Sequence, residues 1–317
     1  MLLFAAVLSG CGGDSDSEQL PRGSANPQAA DFPKPRQPLQ QFANKAADGQ
    51  ARLALGSSVL TPGRNRIVFG VLAQDNQFVY GPTAVYVAPS LKEVPQGPFV
   101  APLDSFAVDA PFRSRTSTAQ PGEPVAVYAG EAPLKKSGPY YLLTLTKVGG
   151  KLVGGATKLA VAPSTRIPAV GERAPAVSTP TFASVGGDKA SIDTRVPPDN
   201  MHADDFRQVI GKEPVALLFA TPQLCQSRVC GPVTDIAAQL QEEYGDQMTF
   251  IHQEVYNDNA IAKGVRPQMR AFNLRNQTGS YTEPWLFTFD ADGRVAARLE
   301  GSFGVNAFEA AVRRALE

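Results

Sequence analysis

The chain of 317 residues is short of the side chains that most often carry redox and metal chemistry, with three cysteines, two histidines and one tryptophan. Two histidines exclude a His-rich metal cage. Charge of one sign is also missing, since 30 basic residues stand against 30 acidic ones. Without a basic patch there is no electrostatic footprint for nucleic acid. Nor does any apolar run reach membrane length: the opening Met1–Leu8 falls far below the roughly 20 residues that cross a bilayer. A hydrophobic content of 43% is that of globular material, and the length leaves room for two domains.

With so few cysteines, the place of each is informative. Met1–Leu8 followed by Ser9 and Gly10 reads as a secretory signal. Leu8-Ser9-Gly10-Cys11 resembles the bacterial lipobox, whose cysteine is diacylated and becomes the mature N-terminus. Residues 1–11 are therefore expected to be a lipoprotein signal peptide and lipobox, with Cys11 lipidated; two acyl chains anchor stably where one is marginal. One departure is the lack of Lys or Arg before the apolar core, so a basic segment is expected upstream of Met1. The expected location is the cell membrane, lipid-anchored and facing the extracytoplasmic side, with the membrane as first partner.

Export changes the reading of Cys225 and Cys230. Outside the cytosol disulfides persist, and with Cys11 committed to lipid no other thiol is left in the chain. On its residues alone, Cys225-Gln226-Ser227-Arg228-Val229-Cys230-Gly231-Pro232 is a redox disulfide, a metal clip or a structural staple. In a regular helix a five-residue rise would separate the Cα atoms by ~7.5 Å, beyond the ~7 Å disulfide limit. Pro232 favours a first helical turn, which makes Gly231 the expected cap and leaves both cysteines in a loop that can close. Arg228 and the helix start favour a thiolate.

The organisation reads as anchor, tether, module, linker, module. Residues 12–48, rich in Gly, Ser, Asp, Pro and Gln, are expected to be a disordered tether. Residues 49–165 carry short β-type runs, Arg66–Ala73, Ala84–Ala88, Val125–Ala129, Tyr140–Lys147 and Thr157–Ala162. Turn signals such as Thr61-Pro62-Gly63 and Gly149-Gly150-Lys151 separate them, which predicts an antiparallel sandwich. The pattern resembles an immunoglobulin-like domain without its inter-sheet Cys pair and Trp, and implies a binding or spacer module. Residues 166–200 read as a Pro- and Ala-rich linker, in which Val170-Gly171-Glu172-Arg173-Ala174-Pro175 resembles the lead-in to exported thioredoxin-like domains.

In residues 201–317, Asp199 or Asn200 is the expected cap of a short helix through Phe206 and Ile210. Val215–Ala220 is an apolar run without alternation, as in a strand buried on both faces. Val233, Ile236, Ala237, Leu240 and Tyr244 mark one face of a helix after the cysteine loop. Met248–Val255 predicts a second strand; Trp285–Phe289 and Arg294–Leu299 predict a hairpin around Asp290-Ala291-Asp292-Gly293; a last helix runs from Asn306 to Leu316. This order, with Pro284 just before the penultimate strand, resembles the thioredoxin-like superfamily. The expected fold class is thus multidomain, an all-β immunoglobulin-like sandwich followed by an α/β thioredoxin-like domain.

That resemblance implies thiol–disulfide exchange with extracytoplasmic protein thiols or disulfides, Cys225 attacking and Cys230 resolving. It also implies a cis Pro284 that docks substrate with Glu283 and Trp285. The departures are plain: four residues, not two, separate the cysteines, and Leu224 and Val229 stand where the family has Trp. Val215–Ala220 also lacks the family's buried acid. A non-catalytic surface binding module with a structural disulfide is the alternative. A Sco-like copper chaperone, with His252 as third ligand, is a weaker one, and His202 is expected at the surface. No cofactor and no metal are expected.

Overall fold

The computed structural model describes residues 27–117, 123–225 and 227–317. The expected signal and lipobox, with Cys11, the start of the expected tether, and Gln226 lie outside these residues. The remainder of the tether, residues 27–48, is folded. Its Phe32, Leu39 and Phe42 are buried, and Leu39, Phe42, Ala43 and Ala46 fall on one face of α1 (Leu39–Ala46). Phe42 meets the Tyr86 ring edge-on, with centroids 4.9 Å apart. The surrounding prolines and glutamines conceal these apolar anchors in the composition.

Eight strands follow: β1 (Gly49–Leu55), β2 (Gly63–Leu72), β3 (Thr83–Ala88), β4 (Gln96–Val100), β5 (Leu103–Ser105), β6 (Ala126–Leu134), β7 (Gly138–Val148) and β8 (Lys151–Val161). The expected immunoglobulin-like sandwich of two antiparallel sheets is not reproduced. The strands form one mixed sheet in the order β4-β3-β7-β8-β1-β2-β6-β5. The cause is β1, which changes partner midway. Gly49 to Ala51 pair in parallel with β8, and Arg52 to Leu55 pair antiparallel with β2. Phe69 of β2, Val85 and Val87 of β3, and Leu142 of β7 share one core, so the sheet closes over itself. Tyr128 of β6 lies in that core, its hydroxyl accepting from the Gly81 amide at 2.8 Å and facing the Val79 and Gly81 carbonyls at 3.1 Å.

The expected linker 166–200 is also packed, with Ile167, Ile192, Asp193, Thr194 and Arg195 buried. Its polar members have partners in the last lobe: the Thr194 amide and hydroxyl donate to Glu254 at 2.7 and 2.6 Å. The short helix α2 (Phe206–Val209) is capped by Asp205, not by Asp199 or Asn200. The Asp205 side chain accepts from the Arg207 amide at 3.1 Å.

The last lobe follows the expected order. The run Val215-Ala216-Leu217-Leu218-Phe219 has no polar side to show to water, and as β9 (Val215–Phe219) it is buried throughout. After α3 (Cys230–Tyr244), β10 (Thr249–Gln253) pairs in parallel with β9. The short helix α4 (Pro267–Ala271) precedes β11 (Trp285–Phe289), and β12 (Val295–Glu300) completes an antiparallel hairpin in the order β10-β9-β11-β12. Alternate residues of β9 serve two cores. Ala216 and Leu218 pack with Val233 and Ile236 of α3 and with Val312 of α5 (Val305–Leu316). Val215, Leu217 and Phe219 face Phe206 of α2 and Met269 of α4 on the opposite side. Among the described residues no helix is long and apolar enough to cross a membrane.

The two lobes share a core. Val68 of β2 and Val127 of β6 point away from the β-lobe interior and join the cluster under α3 and α5. Gly301, at φ +72°, sits so close to the β-lobe that a Cβ there would lie 1.5 Å from the Gly56 carbonyl oxygen. Asp104 of β5 caps α5 from across the seam, accepting from the Gly304 amide at 2.8 Å and the Asn306 amide at 3.0 Å. The Asp104 carboxylate also lies 3.6 Å from the Arg66 guanidinium.

Replacing Asp104→Ala removes that cap and the carboxylate nearest a buried guanidinium. We expect a loss of about 2–3 kcal/mol in urea unfolding; a change under about 0.5 kcal/mol would contradict the seam's role. Burial pushes the Tyr128 phenol up to about 12. The unfolded chain releases this proton near pH 10, the folded chain later, so stability is intact below about pH 10 and falls between there and pH 12. Denaturant midpoints across this interval should drop, and Tyr128→Phe should flatten the drop.

Candidate active site

β9 delivers the chain to the end of the sheet, and a short loop turns it into α3. Cys225 stands in that loop; Cys230 is the first residue of α3, with Val229 as the cap residue. Gly231, expected as the cap, lies inside the first turn. Pro232 sits in that same turn, where its missing N–H leaves no intrahelical bond unmade. Because only one cysteine is helical, the full helical rise does not separate them. Their Cα atoms are 5.9 Å apart and the sulfurs are bonded, within the usual range for disulfides. Cys225 is half-buried and its sulfur lies 3.2 Å from the Ser227 hydroxyl, whereas Cys230 is fully buried.

Arg228, expected to bias a cysteine towards thiolate, is already paired. It adopts φ 58° and donates to the Glu123 carboxylate at 2.8 Å, a pairing with the β-lobe that offsets its charge. The positive end of α3 remains the cationic influence on Cys230.

Another group that sequence reasoning passed over holds the walls of the site together. Asp235 of α3 is buried and accepts from Arg195 Nε at 2.8 Å, from the Ser114 amide at 2.8 Å and from the Ser117 hydroxyl. The same guanidinium donates to the Pro197 carbonyl at 2.8 Å and the Phe112 carbonyl at 2.7 Å. The β-lobe segment around Thr116 is thereby clamped onto the first turn of α3. A Cβ on Gly231 would lie 2.6 Å from the Thr116 carbonyl oxygen. Between this segment and the cysteine loop opens a cleft of about 290 Å³, lined by Thr116, Glu123, Gln223, Cys225 and Arg228.

The three residues expected to dock substrate part company. The Glu283–Pro284 bond is cis, as expected. Glu283 lines a second cavity of about 600 Å³ between the lobes, together with Ser227, Val229 and Phe78. Pro284 is buried and its carbonyl accepts from the Gly301 amide at 2.9 Å. Trp285 is a core residue: strand alternation places it with Phe287, the rings stacked at 6.0 Å, and its indole N–H donates to Thr282 at 3.0 Å. It offers no docking surface.

The structure also gathers four side chains that the sequence scatters. Asp193, Asp199, His202 and His252 are all buried, so His202 is not at the surface as expected. His252 faces Asp199 at 2.8 Å and the Ala220 carbonyl at 3.2 Å, and the cluster it joins includes neither cysteine. The Sco-like copper reading loses its third ligand. Burial works against the charged form of His252, but the Asp199 carboxylate, by charge and hydrogen bond, and Asp193 hold it at about 10. Burial, with the His252 charge nearby, lowers His202 to about 3. The available signal was the Asp193…Asp199…His202 spacing within ten residues of sequence.

No family model matches the chain, and no curated protein matches it. Among solved structures it is similar to a thioredoxin-family thiol:disulfide interchange protein from Chlorobium tepidum TLS. That likeness has 20% identity and a TM-score of 0.31, over 47% of this chain and 99% of the other. A second likeness is to the PKD domain of the human VPS10 domain-containing receptor SorCS2, at 13% identity and TM-score 0.17, over 51% of this chain and 99% of the other. At these scores neither likeness decides the function, which is read from the site's geometry.

Gly231→Ala should set a methyl against the Thr116 backbone and cost about 1–3 kcal/mol in thermal or urea unfolding. A neutral substitution would show that the clamp over α3 yields freely.

Proposed function

We propose that this chain is a thioredoxin-like thiol–disulfide exchange protein, anchored through a lipid on Cys11 to the extracytoplasmic side of the cell membrane. The observation that carries the reading is the unequal exposure of a bonded cysteine pair at a strand–helix junction. Cys225 opens onto a cleft, while Cys230 is fully buried at the start of α3. A substrate thiolate attacks the Cys225 sulfur; the new S–S bond forms as the Cys225–Cys230 bond breaks. The electron pair leaves on Cys230 as a thiolate, stabilised by the N-terminus of α3. A second substrate thiolate then attacks the substrate sulfur of the mixed disulfide, forming the substrate disulfide as the bond to Cys225 breaks and Cys225 leaves as thiolate. The substrate has lost two electrons and the cysteine pair has gained them; the reverse sequence reduces a substrate disulfide.

The second reading, a binding module with a structural disulfide, draws support from the Arg228–Glu123 pair and the Asp235 clamp, which tie the cysteine loop to the β-lobe.

The two readings separate on trapping. Cys230→Ser in the full chain, expressed in an exporting host, should accumulate a dithiothreitol-sensitive mixed disulfide through Cys225, and Cys225→Ser far less. Absence of any adduct with Cys230→Ser would favour the structural staple.

A further inference from the structure

We propose that Asp193, Asp199, His202 and His252 form a binding site for a divalent first-row transition ion, Zn²⁺ being the best match. Such a site is independent of the exchange activity.

The four donor atoms lie within 4.8 Å of one another, in a wholly buried setting. Asp193, Asp199 and His202 come from the packed segment that covers β10, and His252 comes from β10 itself. That strand is the edge of its sheet, and its His252 amide donates to the Met201 carbonyl at 2.9 Å. A clasp at this point would hold the covering segment on the sheet edge.

Each imidazole is oriented by a backbone carbonyl. His252 Nε2 donates to Ala220 at 3.2 Å, which turns Nδ1 towards Asp199 at 2.8 Å and Asp193 at 3.8 Å. His202 is hydrogen-bonded to the Pro180 carbonyl, and its Nε2 points at Asp193 and Asp199, 3.8 Å from each. Backbone amides fix the carboxylates in turn. Asp193 accepts from Arg195 at 2.8 Å and from Asp199 at 2.7 Å, and Asp199 accepts from Met201 at 2.8 Å. Imidazoles tied through their outer nitrogen and carboxylates held by amides are the outer-shell pattern of metal centres.

His202 Nε2 points to a ligand independently of the clustering. It is buried, no protein group satisfies it by hydrogen bonding, and both carboxylates stand too far for a direct bond. Tetrahedral Zn²⁺ with bonds of 2.0–2.2 Å spaces its donors by ~3.4 Å. The nearest nitrogen–oxygen approaches, made with different oxygens of each carboxylate, are one of 2.8 Å and three of 3.8 Å. One donor atom from each residue can be chosen with all four within 4.8 Å, so small side-chain shifts reach that spacing. On coordination the proton that His252 Nδ1 shares with Asp199 leaves. Imidazole disfavours Ca²⁺ and Mg²⁺, and the lack of thiolate or thioether disfavours Cu⁺. With four protein ligands and no access to solvent, the site is structural.

The test uses the full chain, kept oxidised so that Cys225 and Cys230 offer no thiolate, stripped with chelator and titrated with Zn²⁺. One Zn²⁺ per chain should bind and raise the thermal midpoint, and Co²⁺ in its place should give a four-coordinate visible spectrum without thiolate charge transfer. His202→Gln and Asp193→Asn should each weaken binding more than about 100-fold. Three results would overturn the proposal: no uptake by the wild-type chain, unchanged affinity in both variants, or a thiolate band with Co²⁺. The first would leave a buried water as the partner of His202.

Discussion

The buried Arg195–Asp235 pair is the contact on which the arrangement of the site depends. Removing two charges from water is costly, and such a pair is tolerable only when the remaining hydrogen-bonding positions are filled. Here they are filled by the Pro197 and Phe112 carbonyls on the arginine and by Ser114 and Ser117 on the aspartate. Those partners come from the packed linker and the β-lobe, so one ion pair fixes both segments to α3, the helix that begins with Cys230. The shared core under Val68 and Val127, and the capping of α5 by Asp104, fix the same relation from the far side.

This places the β-lobe in the chemistry of the site and not only beside it. Thr116 and Glu123 form part of the cleft onto which Cys225 opens, and Glu123 neutralises Arg228. The walls of that cleft come from both lobes, Arg115 to Ser117 on one side and Gln223, Cys225 and Pro232 on the other. The half-buried Cys225 borders this cleft, while the fully buried Cys230 sits at the positive end of α3.

The last lobe was largely legible in the sequence because its signals are local. An apolar run without alternation gave β9, a helical stripe gave α3, and the Asp290–Gly293 turn gave the hairpin. The pair Cys225 and Cys230 was legible for the same reason, whereas the cis Pro284 followed only from the resemblance to thioredoxin-like proteins. Misreadings arose where long-range packing decides. Residues 27–48 look like a tether by composition, yet Phe32, Leu39 and Phe42 anchor them to β3 and β7. Arg66–Ala73 reads as a strand, but nothing local marks that Ile67, Phe69 and Val71 stay in the β-lobe core while Val68 joins the core under α3 and α5. Trp285 looked like a docking residue by its neighbour, but strand period 2 turns it into the core. Arg195 and Asp235, 40 residues apart, carry no local mark of their pairing.

Everything proposed for the cleft requires Cys225 and Cys230 to be an exchangeable pair and not a permanent staple. The most direct test is the reduction potential of the disulfide in the full chain, equilibrated against a graded series of thiol–disulfide buffers. An exchangeable pair predicts a value within the span of exchange proteins, about −120 to −270 mV. A value below about −300 mV, where structural disulfides resist the cell's thiols, would contradict it.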